Sequence, residues 1–375
     1  MKLVLLLNVG KGIGGGSYSL YKFFEKLSCS GHDVIIFGMS RNNHVIKNKK
    51  INSNLIIKDR IRLNIKFKGS RMIDNFFDKI YTTFVLNNFL KNNKDIDFIC
   101  GYLTKEAVKA ADLGKKFDIN ILNFVYESPP WMKKDLGEAW DKEFDKTREL
   151  WEKTRKAYLE SDVLLSTSNL SKQWCDKWLS TKKVTDYIYP GIDLIRSKEK
   201  IIKKNQIIYM GRLDERKNID KIIKALSLIK NPPRLIIAGG GDQRKYLEKL
   251  STNLKVDSIF TGKVSEEKKW KLIRSSKFMV FASSHEGFGM PPMEALACEI
   301  PCICSDKPIF KEVYEDKVEY FKENDIDSLK EKIEFLLKNP DYCEKRGKQG
   351  RKYIEKKFSW KKSAEKIERI LKHKI

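Results

Sequence analysis

Short apolar runs alternate with longer amphipathic segments through nearly the whole of this 375-residue chain. No other feature constrains the fold as much. An apolar run too short for a helix and bounded by turn residues fits a strand buried on both faces, and the amphipathic stretch after it covers one of those faces. Repetition of that unit builds a parallel sheet wrapped in helices, an α/β architecture. The runs predict strands at Leu3–Asn8, Val34–Gly38, Phe98–Gly101, Ile121–Val125 and Val163–Ser166. After Tyr189-Pro190-Gly191-Ile192-Asp193 comes the charged stretch Arg196–Lys204, which is poor in apolar residues and reads as an interdomain linker. A second series then begins, with strands predicted at Ile207–Met210, Leu235–Ala238, Ser258–Thr261, Phe278–Ala282 and Cys302–Ser305. The chain is longer than one hydrophobic core usually supports. Two doubly wound domains are therefore expected, residues 1–190 and 191–359, the first completed by a C-terminal helix at 360–375. Sheets of this kind bind ligands outside the carboxyl ends of their strands, here in a cleft between the domains.

Composition removes several function classes. Lys and Arg outnumber Asp and Glu by 75 to 50, a net charge of +25. Such an excess invites a nucleic-acid-binding reading, but no recognised module and no basic-aromatic interleaving on one face accompanies it, so no nucleic-acid partner is expected. No stretch approaches the roughly 18 apolar residues of a membrane span. The opening run Met1–Leu7 is short and leads into glycines without a cleavage pattern, so it reads as a first strand rather than a signal peptide. The seven cysteines, 29, 100, 175, 298, 302, 304 and 343, are odd in number and scattered, which fits free thiols in a reducing, cytoplasmic setting. Cys298, Cys302 and Cys304 lack a fourth ligand at zinc-site spacing and read as small buried residues. Asp95-Ile96-Asp97 imitates a metal-binding pair of aspartates, but it precedes a strand and is placed at the end of a helix and turn. No metal and no other cofactor are expected.

The most specific motif is Glu286-Gly287-Phe288-Gly289-Met290-Pro291-Pro292-Met293-Glu294, two glutamates seven residues apart at a predicted strand-to-helix junction. Glycines let backbone approach a ligand, and a proline in the first helical turn loses no hydrogen bond. The free amides of such a helix start attract phosphates and hydroxyls, while the carboxylates accept hydrogen bonds from a polyol. A second motif, Tyr209-Met210-Gly211-Arg212-Leu213-Asp214-Glu215-Arg216-Lys217-Asn218, follows the first strand of the second series. Arg212 offers a planar fork and Lys217 a mobile point charge, a pairing suited to a diphosphate.

On these residues the chain resembles glycosyltransferase family 4, whose members share the GT-B fold of two Rossmann-like doubly wound domains facing a central cleft. The resemblance covers most of residues 205 to 360 and is weaker before residue 190. It implies a retaining hexosyltransferase that takes a mannose- or glucose-type sugar from a GDP- or UDP-sugar donor and passes it to a glycan or lipid-linked acceptor without a metal. It implies that Glu286 contacts the transferred sugar and Glu294 the ribose, and that Arg212 and Lys217 bind the donor diphosphate beside Gly211. The amides of Gly287, Phe288, Gly289 and Met290 would meet sugar hydroxyls. Ala238-Gly239-Gly240-Gly241-Asp242 and Phe260-Thr261-Gly262-Lys263-Val264 match the family in order, with backbone near Val264 touching the base. Replacing Glu286 or Arg212 by alanine is expected to lower turnover sharply and leave the fold intact. A nucleotide-sugar epimerase of similar architecture is the rival, but it has no reason to keep the two-glutamate loop.

In the first domain, Gly10-Lys11-Gly12-Ile13-Gly14-Gly15-Gly16 contains a formal dinucleotide-binding pattern. The acidic residue that would hold a dinucleotide's ribose is missing, since the second strand ends in Phe37-Gly38-Met39-Ser40. The resemblance implies instead that the loop is the family's glycine-rich turn facing the donor phosphates, especially through Gly15 and Gly16. Family members often carry a histidine in the first domain's cleft wall, and none of His32, His44, His285 and His373 stands there. Phe124-Val125-Tyr126-Glu127-Ser128 does, so either Glu127 or Tyr126 faces the sugars. His285 either lines the site beside Glu286 or serves structure. Residues 41–71 hold ten basic side chains (Arg41, Lys47, Lys49, Lys50, Lys58, Arg60, Arg62, Lys66, Lys68 and Arg71) against the single acid Asp59. They lead into Phe76, Phe77, Tyr81, Phe84 and Phe89, aromatics that suit either a helix on an anionic membrane leaflet or a buried core.

Overall fold

Leu3, Val4, Leu5, Leu6 and Leu7 are all fully buried, as five successive apolar residues must be if both faces of their strand are covered. The computed structural model describes residues 1–7, 15–38, 54–58, 83–194 and 201–375. The turn at Gly10–Gly14, most of the basic stretch 41–71, Phe76, Phe77 and Tyr81, and residues 195–200 of the linker lie outside the described residues. The chain divides into two units. Unit 1 is Met1–Pro130, Lys142–Pro190 and Trp360–Ile375; unit 2 is Trp131–Asp141 and Gly191–Ser359.

Unit 1 is built on a parallel sheet of β1 (Lys2–Leu7), β2 (Asp33–Gly38), β3 (Leu55–Lys58), β4 (Phe98–Tyr102), β5 (Asn120–Val125), β6 (Val163–Ser166) and β7 (Asp186–Tyr187), in the order β3-β2-β1-β4-β5-β6-β7. The helices of this part of the chain are α1 (Gly15–Cys29), α2 (83–92), α3 (Leu103–Phe117), α4 (Pro129–Leu136), α5 (Glu138–Glu160) and α6 (Asn169–Leu179). Residues 131–141 of α4 and α5 go with unit 2. The last helix, α14 (Trp360–Lys372), returns to α1, where Trp360 meets Phe23 edge-on at 5.5 Å and Ser363 donates to the Tyr189 carbonyl at 2.7 Å. Of the two described aromatics from the basic-aromatic segment, Phe89 packs against Phe37 at 5.2 Å while Phe84 is 67% exposed. Asp97 accepts from the Lys2 backbone N–H at 2.7 Å and Asp95 pairs with the Lys2 ammonium at 2.9 Å. The acidic pair thus clips β1 to the turn before β4.

Unit 2 repeats the winding with β8 (Gln206–Met210), β9 (Arg234–Ala238), β10 (Ser258–Gly262), β11 (Met279–Phe281), β12 (Cys302–Ser305) and β13 (Glu319–Phe321), all parallel in the order β10-β9-β8-β11-β12-β13. Its helices are α7 (Ile219–Ser227), α8 (Arg244–Asn253), α9 (Glu266–Arg274), α10 (Met290–Ala297), α11 (Pro308–Tyr314), α12 (Ile326–Lys338) and α13 (Pro340–Lys357). The two doubly wound α/β units expected from the alternation are both present. The strands not anticipated, β3, β7 and β13, are short and lie at the outer positions of the sheets. In each sheet the order reverses between the first and fourth strands of the series, β1 against β4 and β8 against β11, which opens a crevice at their carboxyl ends. None of the seven cysteines is joined in a disulfide, and Cys302 and Cys304 are buried in β12. Among the described residues no helix is long and apolar enough to cross a membrane.

Candidate active site

The loops that leave β8 and β11 emerge side by side at the switch point of the second sheet, and backbone ties them together. The Arg216 carbonyl accepts from the Ser284 N–H at 2.8 Å and from the Ser284 hydroxyl at 3.0 Å. The Asn218 side-chain amide donates to the Ala282 carbonyl at 3.0 Å. Lys217, the last residue of a short 3-10 turn at Glu215–Lys217, lies between those ties and reaches across the gap. Its ammonium reaches Glu286 Oε1 at 2.5 Å, with the two side chains only 8% and 16% exposed. Residues 69 apart in sequence thus form a nearly buried ion pair, and removing one partner would leave the other charge without compensation. That changes the expectation for Glu286→Ala, which cannot leave the fold untouched. Arg212 differs: its side chain is 72% exposed, 3.6 Å from Asp214, and the Arg212 carbonyl is held by the Tyr209 hydroxyl at 2.7 Å.

Behind the β8 loop, the glycines after β9 act as its support. The Gly211 N–H donates to the Ala238 carbonyl at 3.0 Å, and Leu213 N–H donates to the Gly240 carbonyl at 3.1 Å. A Cβ on Gly239 would lie 1.8 Å from the Gly211 carbonyl oxygen, so no other residue permits this approach.

The two-glutamate motif turns into α10 as its glycines and prolines predict. Gly289 caps the helix at φ 88°, and a Cβ there would strike the Phe310 ring at 2.7 Å. Its carbonyl accepts from the Tyr314 hydroxyl. Phe288 is 4% exposed and meets Phe358 edge-on at 5.7 Å, so its ring belongs to the core and only its backbone can serve a ligand. Gly287 lies in the same loop, and Met290 and Glu294 are on α10 itself. Val264 sits half-buried between β10 and α9, next to Ser265, whose hydroxyl caps α9.

Sequence reasoning missed two neighbours of these glutamates. Lys269 on α9 binds Glu294 Oε1 and Glu266 Oε2, each at 2.7 Å, and lies 4.5 Å from the centre of the Trp270 ring. Burial raises the Glu294 pKa, although Lys269 pulls the other way. Burial works against the charge on Lys269 too, but its two carboxylates outweigh it and the pKa rises. The second neighbour is Asp135, in the 131–141 segment of this unit. Its Oδ2 lies 2.9 Å from His285 Nδ1 and its Oδ1 3.5 Å from the buried Lys307 ammonium, which also pairs with Glu323 at 2.7 Å. Trp131 meets the His285 ring edge-on at 4.9 Å. His285, with no exposed side-chain surface, therefore anchors the loop from beneath. A pairing over 150 positions leaves no local pattern to read.

In unit 1, Gly15 and Gly16 open α1. The Tyr126 ring is buried and its hydroxyl donates to the Gly16 carbonyl at 3.0 Å. Glu127, half-buried, follows between β5 and α4. Among the described residues no group of acidic, histidine or cysteine side chains could hold a metal ion.

Residues 192–353 match the family described as glycosyl transferases group 1. A protein named as an uncharacterized glycosyltransferase of Methanocaldococcus jannaschii is 27% identical over 69% of this chain and 73% of its own length. A GDP-mannose-dependent alpha-(1-6)-phosphatidylinositol dimannoside mannosyltransferase of Mycobacterium tuberculosis is 26% identical over 54% of this chain; the match spans 55% of that protein's length. The structure of Anabaena HepE in complex with UDP and glucose covers all of both chains with a TM-score of 0.78 at 16% identity. The fold is therefore GT-B, and the C-terminal unit carries the group 1 glycosyltransferase pattern.

Proposed function

We infer that this chain works as a glycosyltransferase of the group 1 family matched by its C-terminal unit, moving a hexose from a nucleotide-sugar to a glycan or lipid-linked acceptor with retention of configuration. The observation that carries this reading is the Lys217–Glu286 pair at the switch point of the second sheet. A nucleotide-sugar presents a diphosphate and a ring of hydroxyls a few ångströms apart. The pair offers a cation for the one and a carboxylate for the other. In this scheme the diphosphate draws Lys217 and exposed Arg212 to itself, and Glu286 turns to accept hydrogen bonds from the sugar. Amides of Gly287–Met290 at the start of α10 add donors, and Glu294 accepts from the ribose. Cations fixed beside a leaving group that gains negative charge favour the transition state over the ground state. No protein nucleophile is needed: the departing phosphate oxygen takes the proton of the incoming hydroxyl on the same face of the sugar.

The M. tuberculosis relative, by its name, uses GDP-mannose on a phosphatidylinositol glycan, and HepE binds UDP and glucose. These support a GDP- or UDP-linked mannose or glucose and a lipid-linked acceptor. The basic residues within 41–71 then suit a cytoplasmic enzyme that meets the anionic leaflet, where each contributes about 1 kcal/mol. The test is a thermal-shift panel of GDP- and UDP-sugars, followed by NMR of the anomeric proton in the product. A ligand at about 100 times its dissociation constant stabilises by about 2.7 kcal/mol. Stabilisation by none of them would overturn the donor reading, and an inverted anomer would overturn retention.

A further inference from the structure

Both glutamates of the motif carry a lysine of their own, and the second lysine has no part in the scheme above. We propose that Lys269 is a positioning residue for the donor ribose: clamped between Glu266 and Glu294 over the Trp270 ring, its ammonium fixes the Glu294 carboxylate as the acceptor of the ribose hydroxyls. This rests on the reading of Glu294 as the ribose contact.

The geometry argues for a built arrangement. Lys269 reaches from α9 to α10 across 25 positions, and both side chains of the Lys269–Glu294 pair are only 14% exposed. An isolated carboxylate so deeply placed would take up a proton, because burial disfavours its charge. A protonated carboxyl donates one hydrogen bond and accepts weakly; an ionised one accepts from both hydroxyls of a ribose, with charge-assisted strength. Lys269, 2.7 Å away, favours the ionised state against the burial that raises the Glu294 pKa. Glu266, 71% exposed, is the outer half of the clamp. Glu266 is the other charged group that acts on the pair; Arg274 and Arg351, with Glu294 and Lys269, act on Cys298, one turn beyond Glu294, whose thiol burial pushes up.

The sign of the effect follows. Without the ammonium, burial of Glu294 is opposed by nothing as close, and its pKa rises further. The carboxylate needed for ribose is then lost at low pH and regained as pH climbs through the raised value.

The experiment measures Kd by calorimetry for GDP and UDP and for their 2′-deoxy and 3′-deoxy forms between about pH 6 and about pH 9. Wild type, Lys269→Met, Lys269→Gln, Lys269→Arg and Glu294→Gln are compared. The wild type should prefer ribose about tenfold at the alkaline end. Lys269→Met should lose that preference at a higher pH than the wild type does and recover it toward the alkaline end, while Lys269→Arg should restore the wild-type profile. Lys269→Gln carries the same test should the methionine variant fail to fold. A folded Lys269→Met or Lys269→Gln protein with the wild-type preference at every pH overturns the proposal. Full ribose preference in Glu294→Gln would instead overturn the ribose assignment of Glu294. Failure of the wild type to bind either nucleotide would overturn the donor reading itself.

Discussion

Lys217 and Glu286 meet with little water around them, so each charge relies on the other. Glu286→Ala is expected to destabilise the protein by about 3–5 kcal/mol, the usual effect of orphaning one member of a buried pair, as well as to stop transfer. Glu286→Gln keeps an acceptor against Lys217 and is the better probe of chemistry: its melting temperature should lie closer to wild type than that of the alanine variant, with turnover still reduced. Arg212 carries no such structural duty. Arg212→Ala should lower turnover on the order of 10²-fold with the denaturation midpoint unchanged, and near wild-type transfer would remove Arg212 from the diphosphate site. Both residues were legible as candidates because glycine and proline mark the loops that hold them. Their mutual contact was not, since it depends on two loops meeting at a switch point rather than on spacing.

At the scale of elements, the loops after β8 and β11 form one object, stitched through the Arg216 carbonyl and Asn218 and anchored from below by His285 on Asp135. Asp135→Ala strips Lys307 of one of the acids it pairs with and His285 of a carboxylate 2.9 Å from its Nδ1. A loss on the order of 3 kcal/mol is expected, together with a fall in kcat from a slackened Glu286 loop. A change in stability with kcat intact would make the cluster a matter of folding alone. In the proposed scheme the same loops offer a diphosphate Lys217, Arg212 and the backbone N–H groups of Gly287–Met290, so transfer should persist in excess EDTA; abolished activity restored by magnesium or manganese would sink the metal-free scheme. The interior strands could be read from sequence because burial on both faces writes itself as an unbroken apolar run. β7 and β13, at sheet edges and only partly buried, leave too short a signature. Asp135 and Lys269 were invisible for a different reason: a charged residue on an amphipathic helix looks solvated until a partner distant in sequence is folded against it.

At the scale of the molecule, α14 belongs to unit 1 although the whole of unit 2 precedes it in the chain. Trp360, Ala364, Ile367 and Leu371 are buried there, and each large apolar side chain contributes about 1.5–3 kcal/mol. A chain ending at Ser359 should lose the calorimetric transition of unit 1 while unit 2 keeps its own transition and its shift with nucleotide; loss of both together would show that the units do not melt separately.

This threading also sets an order in time. As the chain leaves the ribosome, the sheet of unit 1 emerges first but waits for its last helix, and unit 2 has its full complement of residues one helix earlier. The nascent molecule must therefore shelter the unfinished surface of α1 during synthesis of some 170 residues. The half begun first is the half completed last.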